Sequence, residues 1–265
     1  MLTSAVPVRK EDNINKTLIY HFPTPATEQE EKEQKYKRNG DVKLTHSNAV
    51  VGVSTKTYAI KNEQVLGKYI RYYADRRHFS ISEMQKYVLV MFELCTGLRV
   101  SDCICRTWGD IMQNESVYRD FIRVRQKKTS KYGEFFINDL LRRVLNDYKE
   151  MLKKRYGTFS LDWYLFPSER TSCGYITRQT AWNWCGCGAK AVGIELSVGN
   201  HGLRKTFGYT SMQTHKDDAT FLAVLMRIFG HSSERITLAY CGIDEDDNRE
   251  LYGDVSDAYS RALYY

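Results

Sequence analysis

One alternating stretch interrupts a chain that otherwise follows helical spacing, and this contrast constrains the fold more than any other feature. "FIRVRQ" and "GEFFIND" are short runs of β-branched and aromatic residues, separated by the basic turn "KKTSKY". Such runs predict two antiparallel strands joined by a hairpin. Elsewhere apolar residues recur at helical spacing, as in "SISEMQKYVLVMFELC", which Ser80 or Ser82 would cap and Gly97 would end. The sequence therefore predicts a mainly α domain with one small antiparallel sheet (α+β).

The same helical spacing predicts the other elements. A short helix and a turn are expected in "VSDCICRTWGDI", and another helix is expected from Thr177 to about Val192 despite its internal glycines. Further helices are predicted in "NEQVLGKYIRYYADRR", "DLLRRVLNDYKEMLKKRYG", "HGLRKTFGYTSMQ", "DATFLAVLMRIFG" and "SSERITLAYCG".

Composition divides the chain into three parts. Residues 1–55 alternate in charge and hold few large apolar side chains, so they are predicted to be a weakly structured N-terminal segment. Residues 56–243 carry the periodic patterns of a single domain. Residues 244–265 begin with "DEDD" and predict a tail helix with Leu251, Val255, Tyr259 and Leu263 on one face.

Charge points to a polyanionic partner. The chain has a net charge of +7, yet residues from Cys241 onward hold seven acidic and two basic side chains, so residues 1–240 carry +12. A basic body of this kind favours nucleic acid as the partner. No apolar run of membrane-spanning or signal-peptide type is present, so a cytoplasmic protein without membrane association is expected. The seven cysteines lack the usual zinc-ligand spacing, which favours reduced thiols and predicts no metal site.

Six polar side chains, each next to a predicted helix end or turn, form a set suited to phosphoryl chemistry. Taken singly they have ordinary explanations, such as helix caps or a solvated turn residue. Together, two guanidiniums can bind a phosphodiester, a tyrosine can attack it, and a lysine and histidines can move protons. The six are Arg99, Lys128, His201, Arg204, His231 and Tyr240.

Four segments resemble, in order and spacing, the conserved boxes of the tyrosine recombinase (phage integrase) family. They are "TGLRVSD", "QKKTSK", "HGLRKTFG" and "GHSSERITLAY", and the resemblance covers about residues 57–252. The segments "YLFPSE", "ITRQTAW", "AKAVGI" and "AYCGID" resemble the short integrases of Gram-positive bacteria and their mobile elements. The nine-residue step from His231 to Tyr240 is similar to the family's step from its last histidine to its nucleophile.

The resemblance assigns a role to each residue of the set. Arg99 and Arg204 would bind the scissile phosphate, while His201 would contact it and assist proton transfer. His231 would assist the nucleophile, Tyr240.

Other positions have less defined roles. Asp102 would support the first arginine, although it could equally cap a helix. Lys128 best fits the role of the general acid, and Lys127 and Lys131 are its neighbours on the turn. DNA contacts are predicted for Arg125, Lys127, Lys131 and Lys205.

The implied function is site-specific recombination of double-stranded DNA, by integration, excision or inversion, through a covalent 3′-phosphotyrosine. The resemblance implies the tyrosine recombinase catalytic fold, no cofactor or metal, and a homo-oligomer that is a tetramer on synapsed DNA. It also allows an accessory DNA-binding protein, and a tail helix that docks either on a neighbouring subunit or on its own domain. Two departures stand out: residues 1–55 do not resemble a full core-binding domain, and "FGHSS" replaces the commoner leucine-glycine-histidine. A type IB topoisomerase-like nicking and resealing enzyme and a non-catalytic DNA-binding accessory protein are the alternative functions.

Overall fold

A computed structural model describes residues 57–125, 132–195, 197–216, 218 and 220–263 of the chain. Its helices are α1 (Glu63–Arg76), α2 (Ile81–Thr96), α3 (Val100–Cys103), α4 (Trp108–Ile111), α5 (Asp139–Tyr156), α6 (Arg178–Ala191), α7 (Asn200–Thr214), α8 (Phe221–Phe229), α9 (Glu234–Cys241) and α10 (Ile243–Leu263). Its strands are β1 (Met112–Asn114), β2 (Val117–Tyr118), β3 (Phe121–Arg125) and β4 (Tyr132–Phe136). The predicted fold class, mainly α with antiparallel β structure (α+β), is confirmed.

Helix α2 is the centre of the domain, since it packs against α1, α5, α6 and α7. Of the two predicted caps, Ser80 is the one used, and its hydroxyl accepts a hydrogen bond from the Glu83 amide. The helix ends at Gly97, whose φ of 61° lies in the left-handed region. Its buried side chains, Val88, Leu89 and Phe92 among them, anchor the main core.

The predicted hairpin is present as β3 and β4, paired antiparallel from Phe121 opposite Phe136 to Arg125 opposite Tyr132. Ile122, Val124 and Phe135 face the core, as the alternation predicts. The expectation of a single sheet is wrong, because β1 and β2 form a second antiparallel pair. These strands have two or three residues each, too few for alternation to reveal them.

Helix α6 forms despite its glycines because α1 binds its backbone. The hydroxyls of Tyr69 and Tyr73 donate to the carbonyl of Cys185 at 3.1 and 3.0 Å. The Tyr73 oxygen also accepts from the Gly188 amide at 2.9 Å. A Cβ at position 188 would lie 2.4 Å from that oxygen, so only glycine permits the contact. Tertiary packing here outweighs a weak helix propensity.

The last three helices form a smaller unit. Leu225 and Phe229 of α8 pack with Cys241 of α9 in a cluster of their own. Helix α10 follows α9 directly, and its Tyr252, Tyr259 and Leu263 are exposed by 75%, 68% and 80%. Within the part of the chain that the structure describes, no helix has both the length and the hydropathy to span a membrane.

Candidate active site

Two arginines from distant parts of the chain meet at one carbonyl group. Arg99 follows Gly97 and precedes α3, whereas Arg204 lies on α7 and is only 2% exposed. Their Nη2 atoms donate to the carbonyl oxygen of Phe229 at 3.1 and 3.2 Å, respectively. Arg204 also donates through Nη1 to the carbonyl oxygen of Gly97. The end of α8 therefore holds the two guanidiniums side by side.

His201 lies one helical turn before Arg204 on α7, so both point to the same side of the helix. Partial burial lowers the pKa of His201, and the positive charges of Arg204, Lys205 and Arg99 lower it further. The imidazole is thus neutral at pH 7 and can accept a proton.

His231 is positioned by the turn that joins α8 to α9. Its backbone amide donates to the carbonyl of Met226 at 3.0 Å, and its Nδ1 lies 3.0 Å from the Thr237 hydroxyl oxygen. That hydroxyl donates to the carbonyl of Ser233 at 3.4 Å, which favours a proton on Nδ1 and a free lone pair on Nε2. Burial, followed by the charges of Arg204 and Arg99, lowers the pKa of His231. This ring is therefore also a neutral proton acceptor.

Tyr240, on α9, completes the group. Its ring centroid lies 5.1 Å from that of His231 and 5.3 Å from that of Phe229. Burial raises the pKa of Tyr240, while the charge and a hydrogen bond of Arg204 and the charge of Arg99 act to lower it. The hydroxyl is protonated at neutral pH, so it needs a base when it acts as a nucleophile. The two neutral histidines can supply one.

Lys205 also lies at this site, with its Nζ 5.4 Å from the centroid of the Tyr240 ring. The same atom donates to the carbonyl of Thr57 at 2.8 Å. The ammonium group therefore adds a third positive charge beside the two arginines.

The remaining predicted residues are placed less fully. Arg125 is exposed at the end of β3, opposite Tyr132. Asp102 is buried on α3, and the ion pairs between described residues do not include one with Arg99, so its supporting role stays a prediction. The hairpin lysines Lys127, Lys128 and Lys131 lie outside the described residues.

A buried carboxyl beneath the site was not predicted. Glu93 of α2 is fully buried, and both of its carboxyl oxygens accept from the side-chain Nδ2 of Asn200 at 3.1 Å. Burial raises the pKa of Glu93 to about 8, although the Asn200 hydrogen bond and the charge of Arg204 oppose the shift. Because Asn200 directly precedes His201, this pair fixes the start of α7. An acidic residue inside the apolar run "VLVMFELC" was the available signal.

The arrangement is suited to binding an anion and attacking it. Two guanidiniums can stabilise a phosphodiester as its charge grows, beside a tyrosine and two neutral imidazoles. Among the residues described, no group of three His, Cys, Asp or Glu side chains is placed to hold a metal ion. The expectation that the reaction needs no metal stays a prediction.

Comparison with known proteins places the chain in a family. The model of the phage integrase family matches residues 68–246. Probable integrase/recombinase YoeC of Bacillus subtilis is 36% identical over 166 residues, which cover 63% of this chain and 82% of YoeC. Tyrosine recombinase XerD of Pseudomonas putida is 26% identical over 173 residues, 65% of this chain and 54% of XerD.

Solved structures agree on the fold. The crystal structure of XerA recombinase superposes with a TM-score of 0.54 at 21% identity, over 78% of this chain and 66% of the XerA chain. The fold is that of the catalytic domain of a tyrosine recombinase. The chain belongs to the phage integrase family.

Proposed function

We propose that this tyrosine recombinase cuts and rejoins double-stranded DNA at specific sites through a covalent 3′-phosphotyrosine. The observation that carries the proposal is the convergence of Arg99 and Arg204 on the Phe229 carbonyl, beside the Tyr240 ring. A single carbonyl oxygen is a poor counterpart for two cations. A phosphodiester brings a negative charge and two non-bridging oxygens, so it satisfies both guanidiniums better.

Cleavage follows from these positions. The hydroxyl oxygen of Tyr240 attacks the phosphorus, and the bond from phosphorus to the 5′ oxygen breaks. His201 or His231, both neutral, accepts the tyrosine proton. Arg99 and Arg204 stabilise the charge on the pentacoordinate phosphorus, in place of a metal ion. We assign the proton for the leaving 5′ oxygen to Lys128, as the family resemblance implies.

Rejoining is the same step in reverse. The 5′ hydroxyl of a second strand attacks the phosphotyrosine, gives up its proton, and releases Tyr240 with its own proton restored. One phosphodiester replaces another, so strand exchange needs no cofactor or external energy source.

The DNA partner fits the charge of the chain. Residues 1–240 carry a net +12, and the exposed Arg125 and the site residue Lys205 would contact phosphates together with Lys127 and Lys131. Such contacts release counterions, so binding should weaken steeply with added salt. The relatives' names point in the same direction, since YoeC and XerD are named as recombinases.

The exposed tail helix supports assembly on DNA. Val255, Tyr259 and Leu263 of α10 are exposed by 38%, 68% and 80%, although the predicted stripe suggests that they become buried, and the side chain of Leu251 lies outside the described part. We infer that α10 docks on a neighbouring subunit and helps to link four subunits around two DNA sites. We infer that the protein integrates or excises the DNA of a mobile element in the cytoplasm. An accessory DNA-binding protein would take part where the reaction needs a direction.

A suicide substrate tests the function. A nicked duplex from the DNA that flanks the gene loses a short fragment after cleavage, which traps the covalent complex. We expect a trapped complex in excess EDTA, and recombination between two full sites. Binding without a trapped complex would indicate a non-catalytic accessory protein. Relaxation of plasmids that lack any site would indicate a topoisomerase.

A further inference from the structure

The segment before α1 crosses the domain next to the active site. Residues 57–62, which we call the strap, form neither helix nor strand and end at Asn62, the N-cap of α1. The Tyr58 amide donates to the Ser197 carbonyl at 3.1 Å, and the Ile60 amide donates to the Thr206 hydroxyl oxygen at 2.8 Å. Ile60 itself is buried. The strap is therefore part of the packed domain.

Helix α7 is shaped to receive it. A Cβ on Gly202 would lie 2.7 Å from the carbonyl oxygen of Tyr58, closer than a real Cβ approaches. Gly202 stands between His201 and Leu203 in the "HGLR" segment. The strap backbone thus lies directly on the helix that carries His201 and Arg204.

Both ends of the strap contact groups next to the nucleophile. At one end, the Thr57 carbonyl accepts a hydrogen bond from Lys205 Nζ at 2.8 Å, and this ammonium lies over the Tyr240 ring. At the other end, Lys61 Nζ donates to the carbonyl of Gly242 at 2.8 Å. Gly242 is the C-cap of α9, two residues after Tyr240.

A short helix depends on such contacts. Helix α9 has eight residues, so its own hydrogen bonds contribute little net stability. Carbonyl groups at a helix C-terminus lack intrahelical donors and carry partial negative charge, and a lysine there satisfies both needs. Lys61 makes this contact from a residue 181 positions away in sequence.

We propose that the strap positions the nucleophile, with Lys61 as the positioning residue that holds the C-terminal end of α9. Lys61 acts through the Gly242 carbonyl and touches no reacting atom. The inference rests on the proposed function, because it assigns a role relative to Tyr240. It adds a determinant of cleavage in a segment that precedes the matched family region, residues 68–246.

Three variants test this role. Lys61→Met removes the charge and the donor but keeps most of the side-chain length, and Lys61→Arg keeps the charge. Lys68→Met on the exposed face of α1 is the matched control. The measurements are single-turnover cleavage of the suicide substrate, the Kd for the same DNA, and deuterium exchange of the α9 amides. We expect Lys61→Met to cleave about tenfold more slowly, the factor for one lost charged hydrogen bond. Its Kd should stay within about twofold, whereas its α9 amides should exchange faster.

Lys61→Arg should restore most of the rate, and Lys68→Met should match the wild type. If Lys61→Met does not fold, Lys61→Gln, which keeps a neutral donor, takes its place. A wild-type rate and unchanged exchange in Lys61→Met would overturn the inference, and so would an effect on Kd alone, which would indicate a direct DNA contact. If the wild type itself forms no covalent complex, the proposed function fails; the exchange of α9 still reports whether Lys61 holds the helix.

Discussion

The two halves of the active site are built differently. The phosphate-binding half, Arg99 with Arg204, is held by the end of the central helix α2, by α7 and by the Phe229 carbonyl at the end of α8, and Arg204 is almost fully buried. The nucleophile half, His231 with Tyr240, lies on a turn and on the eight-residue helix α9. Both halves contact the small cluster around Phe229. The first half is also preorganised by the core through α2 and α7, whereas the second depends on a few contacts from the strap.

This difference suits a recombinase. A rigid anion site costs no reorganisation when the phosphate arrives. A nucleophile on a weakly stabilised helix can be adjusted by whatever binds next to it. Helix α9 leads directly into the exposed α10, so a subunit that captures α10 would also act on Tyr240. Cleavage could thereby depend on assembly.

The largest effect is expected from Arg204→Ala. Cleavage should fall by about 10³-fold because the transition state loses one of its two guanidinium donors. Stability should also fall, by about 2 kcal/mol, since the buried carbonyls of Gly97 and Phe229 lose a donor. Arg99→Ala, the matched variant, should lose comparable activity but less than about 1 kcal/mol, because Arg99 is only partly buried. Suicide-substrate kinetics and urea unfolding measure the two quantities, and equal stability losses would contradict the contrast.

His231→Ala tests the other half. Cleavage should fall by about 10²-fold, as for the loss of a group that moves a proton, while the free energy of unfolding should hardly change. The retained His201 sets a lower limit on the rate. The same two assays apply, and a loss of stability as large as that of Arg204→Ala would show that both halves are equally part of the core.

Part of the fold and of the site could be predicted from the sequence, but not the contrast between the two halves. Glycines mark the helix ends just before Arg99 and His231. The family segments around Arg99, Arg204 and Tyr240 predicted which side chains would meet. The Glu93–Asn200 pair and the Lys61 contact were not predicted, since they join residues 107 and 181 positions apart. No local period encodes such distances. The β1–β2 pair was missed because its strands are too short for alternation.

A smaller effect, on stability alone, is expected from pH. The pKa of Glu93 is raised to about 8, above the value of about 4.3 in an unfolded chain. Between these values the unfolded state loses a proton that the folded state keeps, so stability falls as pH rises from 4.3 towards 8. Glu93→Gln removes this dependence and should gain stability relative to the wild type over that range. Thermal unfolding of both proteins at pH 5 and pH 8 measures the gain. An equal stability difference between Glu93→Gln and the wild type at the two pH values would contradict the raised pKa of Glu93.

The smallest effect on the cleavage of an isolated DNA half-site is expected from deletion of the tail. Deletion of residues 246–265 should leave a folded domain that still cleaves an isolated half-site at nearly the wild-type rate, because the described side chains from Tyr252 onward are exposed. Recombination between two full sites should be lost, as subunits are no longer linked. Full recombination by the truncated protein would argue against docking on a neighbouring subunit. An insoluble truncated protein would indicate that the tail packs into the core of its own domain.

The identity of the nucleophile is the most direct test of the proposed mechanism. The complex trapped on a suicide substrate is digested, and the peptide that keeps the phosphodeoxynucleotide is sequenced by mass spectrometry. We expect the modification on Tyr240 and none in Tyr240→Phe, which should still bind the DNA. A modification on Tyr252, Tyr259 or any other tyrosine would contradict the assignment of Tyr240 as the nucleophile.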